Sequence, residues 1–188
     1  MKIILGSQSA SRKRTLEEHG IVFEVMSPNI DEKEIRDTDP QMLVLKIARA
    51  KADALLSKIF EPALLITSDQ VVVCGGEFLE KPVSAEEARR FFELYTHNPP
   101  LTITAVVVTN TATGKRREGI DSSRVWFGLM PQAVIEQVIE DGSVFAWAGG
   151  YNIIGPLFIP YIEKVEGDPE GICGLPWKLT ERLLDELS

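Results

Sequence analysis

Ala63-Leu64-Leu65-Ile66-Thr67 is a short, almost wholly apolar run, and Ser68-Asp69-Gln70 follows it directly. Runs of this length and continuity are found in strands covered on both faces, as in the parallel sheets of α/β proteins. An acid placed just after such a run is expected at a strand's carboxyl end, where open α/β sheets present their ligand crevice. Asp69 is therefore the strongest single candidate for chemistry. Its alternative is a turn-forming aspartate bonded to neighbouring backbone.

Upstream of this run the chain alternates strand and helix patterns. Lys2 to Leu5 reads as a strand, Arg12 to His19 as a helix stopped by Gly20, and Val22 to Met26 as a second strand. A helix over Gln41 to Lys58 follows Pro40, with Val44, Ile47, Ala48 and Leu55 on one stripe and Lys51 on that same stripe. Downstream, Val71 to Cys74, Gly75-Gly76 and Glu77 to Leu79 form a two-residue hairpin closed by Lys81-Pro82. Ser84 caps a helix running to about Tyr95, with Glu87 at the capping-box position. Leu101 to Thr109 and Arg116 to Phe127 pair as a long antiparallel hairpin around Thr113-Gly114. Pro131 to Glu140 reads as a helix, Gly149 to Pro156 as a glycine-rich segment, Ile159 to Val165 as a strand and Trp177 to Leu187 as a closing helix. The expectation is one α/β domain over residues 1–188 with a mixed sheet, without repeats or a linker.

Composition narrows the function classes. The chain has 188 residues, enough to bury a core without disulfide or metal staples. A formal net charge of −8 is the wrong sign for non-specific nucleic-acid binding, so no nucleic-acid polymer is expected as partner. No apolar run is long enough to span a membrane, and residues 1–6 are too short and lack a cleavage site for a signal peptide. A cytoplasmic protein with no membrane partner is the expectation. Cys74 and Cys173 lie too far apart for a metal knuckle and read as reduced core thiols.

Several segments can carry phosphate chemistry. Gly6-Ser7-Gln8-Ser9-Ala10-Ser11-Arg12 lies between a strand and a helix, where backbone N–H groups and hydroxyls make an anion site and Arg12 adds a fixed charge. The plainer alternative is a serine cap beside a surface arginine, and the segment lacks the glycine spacing and lysine of a P-loop. Asp31-Glu32 can supply a carboxylate to Mg²⁺ or equally be a solvated turn. A lysine on a core-facing stripe, as at Lys51, either snorkels or serves a polar site. Lys81 can return a cation to the same end. His19 and His97 are expected to be exposed, and no serine, histidine and acid pattern stands out for a hydrolytic triad.

In order and spacing, Leu5-Gly6-Ser7-Gln8-Ser9-Ala10-Ser11-Arg12, Asp31-Glu32, Ala48-Arg49-Ala50-Lys51-Ala52, Ser68-Asp69-Gln70-Val71-Val72, Glu80-Lys81-Pro82, Ala148-Gly149-Gly150-Tyr151 and Gly174-Leu175-Pro176 resemble the Maf family of nucleotide pyrophosphatases. The resemblance covers essentially the whole chain. It implies an elongated mixed α/β fold with flanking helices and a central cleft, related to the inosine triphosphate pyrophosphatases. It further implies a nucleoside triphosphate as substrate, hydrolysed between its α- and β-phosphates with a divalent cation, Mg²⁺ or Mn²⁺, and it makes a homodimer a reasonable expectation. Carried over by position, Ser7, Ser9 and Arg12 would line the phosphate site, Glu32 and Asp69 would serve the metal and the attacking water, and Lys51 and Lys81 would hold the polyphosphate. Whether Asp69 would act as base, metal ligand or both stays open.

Ser11, Gln70 and Ile154 align with positions tied to base choice in that family. Gln70 resembles the branch acting on 7-methyl-GTP, whereas the dTTP and UTP branch usually has threonine there. Ser11 and Ile154 match neither, and Ala10 and Ala50 also depart from the family pattern. The expected activity is thus pyrophosphate release from a modified or purine nucleotide, 7-methyl-GTP first. The alternatives are a dTTP/UTP pyrophosphatase, a broad phosphatase releasing orthophosphate, and a nucleotide-binding regulator without turnover.

Overall fold

The computed structural model describes all of residues 1–188. In chain order its regular elements are β1 (Lys2–Leu5), α1 (Ala10–Glu18), β2 (Glu24–Val25), α2 (Pro40–Leu56), β3 (Ala63–Cys74), β4 (Glu77–Leu79), α3 (Ala85–Tyr95), β5 (Leu101–Asn110), β6 (Arg116–Phe127), α4 (Gln132–Glu140), β7 (Ile162–Glu166), α5 (Pro169–Ile172) and α6 (Trp177–Asp185). Seven strands form one mixed sheet in the order β2-β1-β3-β5-β6-β7, with β4 also paired to β3. β1 runs parallel to β2 and β3, and the remaining pairs are antiparallel. The mixed α/β class expected from the sequence is the class observed.

Local chemistry explains the helix starts. Asp39 caps α2 by accepting from the Gln41 N–H at 2.8 Å, and Pro40 occupies the first turn, where a missing N–H costs nothing. Ser84 caps α3 as expected, accepting from the Glu87 N–H, while the Glu87 carboxylate reaches back one residue further than a capping box does and accepts from the Val83 N–H. Gly20, at φ 69°, follows the end of α1 in a conformation where a side chain would be strained.

The main correction concerns β3. A break was expected at Ser68-Asp69-Gln70, but the strand continues through these residues for 12 positions. Asp69 is thus in mid-strand. β5 pairs with β3 from Leu64 to Val73 without interruption, and each of the three polar side chains finds a buried or half-buried partner. Satisfied polar groups do not force a turn. Two smaller corrections have equally simple causes. The strand expected over Ile159 to Val165 begins only at Ile162, because Ile159–Tyr161 is 3₁₀-helical around Pro160, which has no N–H for a ladder. β2 is only two residues long, and Val22 stays 90% exposed outside it.

Three apolar clusters hold the chain. Leu65, Ala105 and Val107 pack with Val44, Ala48, Ala52 and Leu55 of α2 on one sheet face. Leu64, Ile66, Val106 and Val108 pack with Leu16 of α1 and with Leu183, Leu184 and Leu187 at the C-terminus on the other. A separate cluster at the far end joins Val72, Leu79 and Val125 to Phe91, Phe92 and Tyr95 of α3 and to Val138 of α4.

On one edge β3 changes partner. β1 pairs with Ala63 to Ile66 and β4 with Val72 to Cys74. Residues 67–71 therefore have no strand beside them on that edge, although β5 covers the other. Gly6 brings β1 close before the chain turns away, donating its N–H to the Ile66 carbonyl at 2.8 Å. A Cβ on Gly6 would lie 2.7 Å from both Leu55 Cδ1 and Thr67 Cγ2, which is too close for any other residue without movement.

Candidate active site

The uncovered edge of β3 gathers most of the candidates. Side chains alternate along a strand, so Thr67 and Asp69 face α2 while Ser68 and Gln70 face the α5 side. On the α2 face, Lys51 Nζ lies 2.7 Å from Asp69 Oδ1 and 3.1 Å from Glu32 Oε1, and donates to the Ser68 carbonyl at 3.5 Å. The Lys51 side chain is only 6% exposed. An unpaired ammonium at that depth would cost several kcal/mol, roughly what the two carboxylates offset. Thr67 Oγ1 donates to the Ala48 carbonyl at 2.8 Å, tying α2 to β3 one turn from Lys51.

On the α5 side the wall is built from backbone carbonyls. Ser68 Oγ donates to the Gly174 carbonyl at 2.8 Å, Gln70 Nε2 to the Ile172 carbonyl at 3.4 Å, and Thr104 Oγ1 to the Gly171 carbonyl at 2.8 Å. The last carbonyls of a helix lack a full set of intrahelical partners, and here strand side chains reach two at the end of α5 and the Gly174 carbonyl just beyond it. Gly174 adopts φ 98°, and a Cβ there would overlap the Gln70 amide.

Arg12 stitches the halves together. It is 7% exposed and donates from Nε to the Gly174 carbonyl at 2.9 Å and from Nη1 to the Ser68 carbonyl at 2.8 Å and Ser7 Oγ at 3.2 Å. Nη2 has no protein partner. Ser7 Oγ also accepts from the Ser9 N–H at 3.2 Å. Ser9 caps α1 through the Arg12 N–H and shares a 2.9 Å hydrogen bond with Ser11. The N-terminus of a nine-residue helix and the Arg12 guanidinium thus adjoin the Asp69 cluster.

Burial sets the electrostatics. It pushes the Asp69 carboxyl above its usual range, while Lys51 and Arg12 pull it down and Glu32 adds to the rise. Burial draws the Arg12 guanidinium below its ordinary value, and the charges of Asp69 and Glu32 draw it back.

Ser7, Ser9, Ser11, Arg12, Glu32, Lys51, Asp69 and Gln70 are therefore brought to one edge. Lys81 and Ile154 are not joined to them by any hydrogen bond or ion pair. Lys81 is exposed just after β4, where the Gly149 N–H donates to the Glu80 carbonyl at 3.1 Å, and Ile154 is 40% exposed. Tyr95 fixes that region by donating to the Gly149 carbonyl at 2.6 Å. Sequence reasoning gave no role to Gly174, Thr67 or Tyr95. The available signal was Gly174-Leu175-Pro176, one of the segments that carry the family resemblance, where a glycine follows Cys173.

The donor set suits a divalent cation. Mg²⁺ is usually held by one or two carboxylates completed by substrate phosphates and water. Asp69 and Glu32 converge on a common point, now filled by the Lys51 ammonium, and neither Asp69 Oδ2 nor Glu32 Oε2 has a protein partner.

A family model described as Maf-like protein matches residues 2–187. A Dictyostelium discoideum protein named 7-methyl-GTP pyrophosphatase is 39% identical over 193 residues, covering 99% of this chain and 97% of that protein. A Vibrio vulnificus (strain YJ016) protein named dTTP/UTP pyrophosphatase is 33% identical over 185 residues, covering 98% of each. The crystal structure of a nucleoside-triphosphatase/dITP/XTP pyrophosphatase from Mycobacterium abscessus aligns with 70% of this chain and 75% of its own, at 15% identity and a TM-score of 0.40.

Proposed function

The chain belongs to the Maf-like protein family, and from that membership together with the Asp69 cluster we propose that it is a nucleoside triphosphate pyrophosphatase, cleaving between the α- and β-phosphates. The observation that carries the reading is the buried Lys51–Asp69 pair, with the half-exposed Glu32 on its solvent side, beside the α1 N-terminus and Arg12. That arrangement offers carboxylates for a cation and a water, with fixed positive charge alongside for phosphate. The relatives named above differ in the base their names specify but share the word pyrophosphatase.

Water attacks the α-phosphorus and the bond from that phosphorus to the α–β bridging oxygen breaks. Pyrophosphate leaves with the bridging oxygen, and the nucleoside monophosphate keeps the oxygen from water. Asp69 takes the proton of the attacking water; a carboxyl raised by burial is a stronger base than a free aspartate. Glu32 and Asp69 would hold a divalent cation, which would supply neutralisation of polyphosphate charge and make a nearby water more acidic. Ser7, Ser9 and the α1 N-terminus receive phosphate oxygens, and Arg12 Nη2 adds a donor. Lys81 adds a cation for the leaving pyrophosphate.

For the base, Gln70 and the identity to the Dictyostelium protein favour 7-methyl-GTP as first substrate. Ile154, apolar and half-exposed, offers no hydrogen bond to a base edge, and apolar walls discriminate weakly between polar variants. Selectivity over dTTP and UTP should be modest, and Ile154→Glu should sharpen it. The test is a panel of canonical and modified nucleotides with Mg²⁺, Mn²⁺ or Co²⁺, scored for pyrophosphate against orthophosphate. Orthophosphate alone, or activity indifferent to metal, sinks the proposal.

A further inference from the structure

Lys51 does not point toward an open phosphate site. Its ammonium lies between the two carboxylates assigned to the cation, 2.7 Å from Asp69 and 3.1 Å from Glu32, with the Ser68 carbonyl at 3.5 Å as its third partner. It therefore occupies the position of positive charge that a divalent ion would take. We propose that Lys51 is the resident counter-ion of the free protein, so that metal ion alone binds weakly and metal and nucleotide bind as a coupled pair.

The inference rests on the pyrophosphatase reading and adds an order of events to it. A bare divalent ion entering the site must displace a buried ammonium, whose only other partner is one carbonyl at 3.5 Å. Stranding a charge at that depth is unfavourable. A metal arriving with a polyphosphate brings the missing partners, because phosphate oxygens replace the carboxylates around Nζ. The carboxylates pass from ammonium to metal as the ammonium passes from carboxylates to phosphate. The ammonium keeps anionic partners at both ends of this exchange. Lys51 then has two successive roles, and the polyphosphate role expected from the sequence is the second. By linkage, the factor by which metal tightens nucleotide equals the factor by which nucleotide tightens metal.

Mn²⁺ alone is titrated into nucleotide-free wild type, Lys51→Met, Lys51→Gln and Lys51→Arg, with free Mn²⁺ read by its paramagnetic resonance and folding checked by melting. Separately, the affinity of wild type for α,β-methylene GTP is measured by calorimetry with and without Mn²⁺. Weak Mn²⁺ binding is expected in wild type and Lys51→Arg. Binding tighter by roughly 5–150-fold is expected in the two neutral variants, lost again when Asp69→Asn is added, and wild type should show a comparable gain in analogue affinity with Mn²⁺. If wild type holds Mn²⁺ alone as tightly as Lys51→Met, or the analogue binds wild type equally with and without Mn²⁺, the coupling is wrong while the pyrophosphatase reading stands. Should the neutral variants fail to fold, the two wild-type measurements decide alone. Absence of analogue binding under every condition overturns the pyrophosphatase reading, and the coupling with it.

Discussion

Asp69 combines burial, a lysine partner and a neighbouring acid, and each has a measurable consequence. Asp69→Asn is nearly isosteric and should cut turnover by roughly 10²–10⁴-fold if the carboxylate acts as base, with the fold retained. Near wild-type turnover, or an unfolded variant, removes the assignment. Stability supplies an independent check. An unfolded aspartate titrates near about 3.9, and burial raises the folded value above that, so the folded state binds the proton more tightly. Below the unfolded value the side chain carries no penalty; as pH rises through the folded value, stability is lost. Thermal melts without metal or nucleotide should therefore show Asp69→Asn gaining on wild type as pH rises from about 4 toward neutrality. Parallel curves contradict the raised carboxyl. Lys51 and Asp69 were legible in the sequence because each places charge against an apolar pattern, and Arg12 because it follows a serine-rich turn between a strand and a helix. Their pairing was not, because nothing local links residue 51 to residues 32 and 69.

The elements show where a period-based reading stops. α2 and the hairpin of β5 and β6 follow apolar spacing and turn chemistry, and were legible nearly to the residue. β3 was misjudged at its polar centre, because the partners that keep Ser68 and Gln70 extended are carbonyls of Gly174 and Ile172, more than a hundred residues away. Gly174 tests that arrangement. A methyl there meets the Gln70 amide and a φ of 98° that L-residues rarely adopt. Gly174→Ala should cost about 1–3 kcal/mol of stability and lower kcat/KM, since Arg12 and Ser68 share the displaced carbonyl. Gly6→Ala should cost a similar ~1–3 kcal/mol by overpacking against Leu55 and Thr67. Chemical denaturation measures both, and unchanged midpoints contradict the close contacts.

Across the whole molecule, the β3 edge left open between β1 and β4 lies where the core built on α2 gives way to the core built on α3. A ligand reaching from the Asp69 cluster to Lys81 touches parts of the chain stabilised by separate clusters. α,β-methylene GTP with Mn²⁺ at a hundredfold over its Kd should raise stability by about 2.7 kcal/mol. For a chain of this size each kcal/mol shifts Tm by roughly 2–4 °C, and Lys81→Met should shrink the shift without moving the ligand-free Tm, because the side chain is exposed and unpaired. An equal shift in Lys81→Met removes that lysine from the site. The alternation along β3 also limits how this protein can change over time. Thr67 and Asp69 share one parity and Ser68 and Gln70 the other, so inserting or deleting one residue between Ile66 and Asp69 behaves like a frameshift. It would send the acid to the carbonyl wall and the wall's hydroxyl and amide to Lys51. Substitutions can drift along this strand one at a time, but its length is locked, and relatives that keep the chemistry should vary in length only outside it.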